Sequence, residues 1–203
     1  MTRLIIARHG NTFGPGETPR RVGARTDIPL VESGMAQAMA LGLHLQASNL
    51  IPDIVFTSQL RRTKETAGYA LEAMDLHITS EPLAIFNELD YGPDENKPEP
   101  DVVARLGEQA LKDWDEQAIV PPGWNIDPAL IIRSWIDFAA TIRAQHPDKT
   151  ILVVTSNGTA RFAPHILPDI EQFRFPLKLA TGAYGLLQTD GDGWKAICWN
   201  ERP

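Results

Sequence analysis

A single cysteine, Cys198, sits in an apolar Ala-Ile-Cys-Trp run, so no disulfide framework within the chain is possible and the thiol is expected in the core. Long hydrophobic stretches are missing as well. Met1-Thr2-Arg3 precedes only Leu4-Ile5-Ile6-Ala7, which is neither a signal peptide nor a membrane span, and no later run reaches spanning length. A cytoplasmic protein with no membrane partner is the resulting expectation. Basic residues are outnumbered, 19 against 26 acidic, and the formal charge of −7 argues against nucleic acid as a partner. Walker-type and dinucleotide glycine loops do not occur. Neither do an HExxH, paired cysteines or a carboxylate-rich loop, so no nucleotide cradle and no metal is indicated. Internal repeats, heptad arrays and low-complexity tracts are also lacking.

What is present is an ordinary globular composition, 43% hydrophobic and 22% charged over 203 residues, enough to bury a proper core. Leu4–Ala7, Ile54–Thr57 and Ile151–Val154 are apolar runs of strand length, and a further short strand is expected between Ile78 and Phe86. Apolar residues at helical spacing mark helices near 33–48 and 58–74, with Ser33 and Ser58 as their caps. Further helices are expected at 101–117, at 128–145 behind the Asp127-Pro128 start signal, and at 159–166. Residues 183–189 and 194–199, joined through Asp190-Gly191-Asp192-Gly193, read as a closing hairpin. Strands alternating with helices, several of the strands uniformly apolar, predict an α/β fold: a three-layer α/β/α sandwich around a mostly parallel sheet. Residues 1–203 read as one domain, in which about 87–125 is an insertion suited to a lid or side wall. Residues 13–30 form a long irregular segment of the kind that is functional or disordered.

Polar residues gather at three strand-to-helix turns: Arg8-His9-Gly10-Asn11, Thr57-Ser58-Gln59-Leu60-Arg61-Arg62 and Thr155-Ser156-Asn157-Gly158. Ligands in open α/β sheets collect at the carboxyl ends of strands. Helices starting at the second and third turns add N–H donors and a positive dipole end. The clusters Arg20, Arg21, Arg25 and Arg61, Arg62, Lys64 suit a small anionic ligand. Two solvated charge runs are the alternative, and Arg21 and Arg25 fit either. Arg62 falls roughly 200° around a helix from Leu60, a solvated position by default; its place in the first turn, near a strand end, counts the other way.

Four blocks stand in order: Arg8-His9-Gly10-Asn11-Thr12; Asp27-Ile28-Pro29-Leu30 with Gly34 and Gln37-Ala38; Thr57-Ser58-Gln59-Leu60-x-Arg62; and Asn87-Glu88-x-x-Tyr91-Gly92. Through them the chain resembles the histidine phosphatase superfamily, the group that includes cofactor-dependent phosphoglycerate mutases. The resemblance implies that His9 is a nucleophile whose neutral nitrogen attacks phosphorus, giving a phosphohistidine that water hydrolyses. It assigns the phosphoryl oxygens to Arg8 and Arg62, whose forks match them bidentately, and acid/base work to Glu88. A small backbone at Gly10 would let the substrate approach closely. Asn11, Thr12, Arg21, Tyr91, Ser156 and Asn157 complete the expected substrate-binding set.

The pattern departs in two places. The family carries a second histidine in a Ser/Thr-His-Gly sequence after its fourth strand, and Ser156 stands there in Thr155-Ser156-Asn157-Gly158. A hydroxyl donates one hydrogen bond but brings no charge, and losing a preorganised donor typically costs about 10² to 10³ in rate. The Asn157 amide offers partial compensation. Val31 stands where the family usually has a helix-capping threonine, which leaves the cap to Ser33. Three functions follow from the resemblance. The first is a phosphomonoesterase acting on a small phosphorylated metabolite without a cofactor. The second is a phosphoglycerate mutase requiring 2,3-bisphosphoglycerate, and the third a phosphate-binding protein with little turnover. The phosphatase is favoured: Asn96-Lys97 resembles the mutases' substrate wall, but no adjacent arginine pair occurs in the insertion. The sequence specifies neither the substrate nor the oligomeric state.

Overall fold

The structure is a computed structural model describing residues 1–203. One sheet contains β1 (Thr2–Arg8), β2 (Ile54–Thr57), β3 (Glu81–Pro82), β4 (Thr150–Thr155), β5 (Tyr184–Thr189) and β6 (Trp194–Glu201), in the order β3-β2-β4-β1-β5-β6. β1 runs parallel to β4, with Ile5 opposite Leu152, and β4–β2 and β2–β3 are parallel too. The β5–β6 hairpin adds antiparallel strands at the β1 edge.

Burial on both faces explains why the central strands are apolar throughout. Successive side chains of a strand point to opposite faces. Leu4 and Ile6 pack with Ile151, Val153 and the Trp135 and Phe138 rings of α5 (Pro128–Gln145). Ile5 and Ala7 pack instead with Leu152 and Val154, with Leu41 and Leu45 of α1 (Glu32–Ala47), and with Ala67 and Leu71 of α2 (Arg61–Ala73). Helices therefore cover both faces, and the expected three-layer sandwich is the fold observed.

Several local expectations are corrected. The helix expected over 101–117 is two, α3 (Glu99–Leu106) and α4 (Glu108–Gln117), because Gly107 takes φ 81° between them. The helix expected over 159–166 is α6 (Asn157–Ala160) followed by a 3-10 turn at Ala163–Ile166; Pro164 has no N–H to offer the Ala160 carbonyl. α2 starts at Arg61 with Leu60 as N-cap, and the Asp27 carboxylate, not Ser58, takes the Arg61 N–H at 2.6 Å. Ser33 lies inside α1, whose N-cap Val31 makes no side-chain bond. Asp127 does cap α5, accepting from the Leu130 N–H at 3.1 Å. Cys198 is half-buried at the edge of the α1/α2 core instead of within it.

Residues 87–125 anchor to the core through a few large side chains. Leu89, Tyr91, Val102, Trp114 and Trp124 share a cluster with Leu4 and Val153. Buried Asp94 accepts from Trp124 Nε1 at 2.6 Å and pairs with Arg105. Arg161, just beyond α6, lies 4.9 Å over the Trp114 ring.

Candidate active site

β1 and β4 end side by side, and their ladder continues one residue further, with the His9 N–H donating to the Thr155 carbonyl at 3.0 Å. That bond delivers the imidazole to the strand ends, where it is only 6% exposed. Its Nδ1 lies 2.7 Å from the Gly10 carbonyl. A carbonyl can only accept, so the proton is on Nδ1 and Nε2 keeps its lone pair. Burial first, then the guanidiniums of Arg62 and Arg8, hold the imidazole well below its ordinary pKa. Gly10 serves a different end from the one expected. A Cβ there would collide with the Gly34 carbonyl of α1, and the Gly10 N–H donates to Thr66 Oγ1 at 3.1 Å. The absent side chain lets the end of β1 press against α1, instead of clearing room for a ligand.

Arg62 is fully buried, contrary to the default taken from Leu60. Leu60 precedes α2 and cannot set its phase. Arg62, Thr66 and Ala70, four residues apart, share the buried face. Arg62 Nη1 donates to the Thr26 carbonyl at 2.8 Å; Nη2 donates to the Gly23 carbonyl at 3.3 Å and to Ser156 Oγ at 3.4 Å. Glu95 organises the loop that supplies those carbonyls. Its Oε1 accepts from the Gly23 and Arg25 N–H groups at 3.0 Å each and from Thr26 Oγ1 at 2.7 Å, while Oε2 accepts from the Tyr91 N–H at 3.3 Å. Sequence reasoning missed Glu95, because bonds between two irregular segments leave no periodic signal.

Arg8 Nη1 donates to the Leu179 carbonyl at 2.8 Å. The Nε atoms of both Arg8 and Arg62 are buried without a partner. Burial lowers the pKa of each guanidinium, offset in part by the nearby Glu88 carboxylate; a guanidinium starts so basic that both stay cations, each with an unused donor. Glu88 is itself buried, its Oε1 accepting from the Leu89 N–H at 2.9 Å and its Oε2 from the Gly158 N–H at 3.2 Å. Burial pushes its carboxyl pKa up, against the pull of those N–H groups and of Arg62 and Arg8. A Cβ at Gly158 would collide with Glu88 Oε1, so glycine at 158 is what admits the carboxyl.

His9, Arg8 and Glu88 open onto one cavity of about 620 Å³, and Asn11, Thr12, Arg21, Tyr91 and Asn157 line it too. Arg62 and Ser156 have no exposed surface and lie outside that lining. Arg21 is paired with Glu99 and sits 5.3 Å over the Tyr91 ring and 5.0 Å over that of Trp124. Arg25 turns away to Asp90 at 3.2 Å and is not in the lining. The Asn11 amide is engaged by Ser33 Oγ and Thr181 Oγ1, and burial, with the charge of Glu88, raises the Tyr91 phenol well above its ordinary pKa. No group of three or more His, Cys, Asp or Glu side chains converges as a metal site. No helix is long and apolar enough to cross a membrane.

Comparison with known proteins identifies the family. Residues 4–202 match the histidine phosphatase superfamily, branch 1. The chain is similar to the 2,3-bisphosphoglycerate-dependent phosphoglycerate mutase of Bifidobacterium longum (strain DJO10A), 36% identical over 127 residues that make up 62% of this chain and 50% of that protein. It thus spans about half the length of that relative. The protein of the same name from Novosphingobium aromaticivorans is 31% identical over 198 residues, 97% of this chain and 82% of that one. In three dimensions the chain is similar to a mycobacterial glucosyl-3-phosphoglycerate phosphatase in complex with VO3 (TM-score 0.79, 23% identity, 98% of each chain covered). It is also similar to the alpha-ribazole phosphatase from Shigella flexneri (TM-score 0.75, 21% identity, 98% of this chain and 96% of that one). At those identities the solved structures speak for the fold. A sequence match running nearly end to end carries the rest: the chain belongs to the histidine phosphatase superfamily.

Proposed function

We propose that the chain is a phosphoric monoester hydrolase acting on a small phosphorylated metabolite. The observation that carries the reading is the His9 Nδ1–Gly10 carbonyl bond, which leaves the Nε2 lone pair uncommitted in a site where burial first, and then the guanidiniums of Arg62 and Arg8, disfavour a protonated ring. Nε2 attacks phosphorus in line; the N–P bond forms as the ester P–O bond breaks, and the leaving oxygen takes the proton of Glu88. Water then attacks phosphorus, Glu88 recovers a proton from it, and the N–P bond breaks to release inorganic phosphate. Arg8 and Arg62 stabilise the charge on the phosphoryl oxygens, Arg8 from the cavity wall and Arg62 from beneath it. Ser156, behind Arg62, acts through that guanidinium. Acid-labile labelling of His9 by a phosphate ester, followed by release of phosphate, tests the reading; stoichiometric binding with neither would overturn it.

The opposed pKa shifts of His9 and Glu88 predict a bell-shaped kcat/KM profile. Activity falls as the pH drops through the lowered His9 pKa, since a protonated ring has no lone pair, and falls as the pH rises through the raised Glu88 pKa, since the leaving oxygen then lacks its acid. Glu88→Gln should remove the alkaline limb and cut turnover of an alkyl phosphate by roughly 10² to 10⁴. The phosphorylation burst with p-nitrophenyl phosphate, whose leaving group needs no proton, should suffer less. Equal losses on both substrates would argue against Glu88 as the acid.

Glu95 is a positioning residue in this scheme. Glu95→Ala frees the turn whose carbonyls hold Arg62 and should lower kcat by about 10²-fold, with a smaller change in KM. Glu95→Gln keeps an oxygen for the three Oε1 bonds and should recover most of that loss. Failure of the glutamine variant to recover would mean that the carboxylate charge, not the loop geometry, is what matters.

The curated relatives at 31–36% identity are named as mutases, which favours an isomerase as the second reading. Dependence of phosphoglycerate isomerisation on added 2,3-bisphosphoglycerate, with little net phosphate release, would select it.

A further inference from the structure

Gln37 stands in the second sequence block without a task in the chemistry above. It lies in the second turn of α1, and its side chain reaches the chain just beyond β1, where Oε1 accepts the Asn11 N–H at 2.8 Å. A backbone N–H only donates, so the oxygen side of the amide is fixed, and Nε2 is left to Thr181 Oγ1 at 3.5 Å. The Thr181 hydroxyl gives its own proton to Asn11 Oδ1 at 2.6 Å, so from the glutamine it accepts. Glycine at 182, with φ 74°, leaves room for the Gln37 stem, which a Cβ there would strike.

The Asn11 N–H and the Gly10 carbonyl are the two ends of one planar peptide. Its carbonyl end accepts from His9 Nδ1 at 2.7 Å, and its N–H end is held by Gln37. Turning that peptide would carry the acceptor away from the ring, and the Gln37 bond resists the turn. Engaging the N–H also polarises the carbonyl and makes it a stronger acceptor. The neighbouring bonds, Gly10 N–H to Thr66 and Val31 N–H to the Asn11 carbonyl, act on the adjoining peptides and not on this one.

We infer that Gln37 is a positioning residue for the nucleophile: through the Gly10–Asn11 peptide it holds His9 in the Nδ1–H tautomer, with Nε2 presented to phosphorus. This rests on the phosphohistidine reading above. Gln37 is not in the lining of the cavity and acts one peptide away from the ring. Its effect grows along the reaction. As Nε2 bonds to phosphorus, positive charge develops on the imidazole, and Nδ1–H becomes a stronger donor to a carbonyl already polarised to receive it.

Ring ¹⁵N spectra of histidine-labelled protein read the tautomer, and His9→Asn identifies the His9 signals among the five histidines. In the wild type Nδ1 should carry the proton. Gln37→Met keeps an unbranched stem but offers the Asn11 N–H no oxygen. Both tautomers should then be present, and kcat for p-nitrophenyl phosphate should fall roughly 10- to 100-fold with a smaller change in KM. Gln37→Glu retains an acceptor and should restore the single tautomer and most of the rate. Gln37→Leu is measured alongside in case the methionine variant does not fold. A wild-type His9 protonated on Nε2 overturns the inference, and so does a folded methionine or leucine variant that keeps the Nδ1–H tautomer, whatever its rate. Those results leave labelling of wild-type His9 by a phosphate ester intact. A wild-type chain whose His9 is never labelled overturns the parent reading, and the inference falls with it.

Discussion

His9→Ala is expected to lose all measurable phosphatase activity, on the order of 10⁶ in kcat, the scale seen when a nucleophile is removed from a concerted site. Alanine also deletes the Nδ1–Gly10 carbonyl bond, so a loss could be blamed on a rearranged turn. His9→Asn answers that objection, because its amide N–H can still reach a nearby carbonyl but offers no nucleophilic lone pair. Both variants should be equally inactive and neither should become labelled by a phosphate ester. If purified His9→Asn turned over p-nitrophenyl phosphate at more than about one part in 10⁴ of the wild-type rate, the nucleophile would have to be sought elsewhere.

Arg62→Met should lower kcat by about 10³ to 10⁵, the range that a transition-state arginine supplies in phosphoryl transfer. Arg62→Lys should rescue little. A single ammonium cannot reproduce the planar fork that spans the Thr26 carbonyl, the Gly23 carbonyl and Ser156 while leaving Nε free. Ligand-induced stabilisation supplies an independent reading. An anion that binds only the folded chain raises stability by about 2.7 kcal/mol at one hundred times its Kd, and it would neutralise two buried guanidiniums that burial already disfavours. Orthovanadate should therefore raise the melting temperature of the wild type and have little effect on Arg62→Met. A methionine variant that kept within tenfold of wild-type kcat and retained the vanadate shift would remove Arg62 from the mechanism.

Much of the fold was legible because burial on both faces writes uniformly apolar strands such as Ile151–Val154, and because Asp127-Pro128 declares a helix start by simple chemistry. The gathering of polar residues at strand ends was legible for the same reason: apolar runs stop where side chains must meet a ligand or water. The burial of Arg62 is not legible, because Leu60, the apolar residue nearest it, lies outside α2 and carries no helical phase. The break at Gly107 is not legible either, since a lone glycine in a periodic stretch does not announce its φ. The bonds of Glu95 and the clearance at Gly158 join segments distant in sequence, and no local pattern encodes them. Ser156 and Asn157 are adjacent in sequence, yet only the geometry separates the one that faces the cavity from the one sealed behind Arg62.

Tyr91 and Trp124 do double duty: they brace Arg21 beside the ligand space and also fill the interior along with Leu4 and Val153. One cavity wall and the stability of the fold thereby draw on the same packed rings. On the proposed reading, a change of substrate made at this wall would need compensated swaps, in which each altered ring is matched by a change of volume deeper inside.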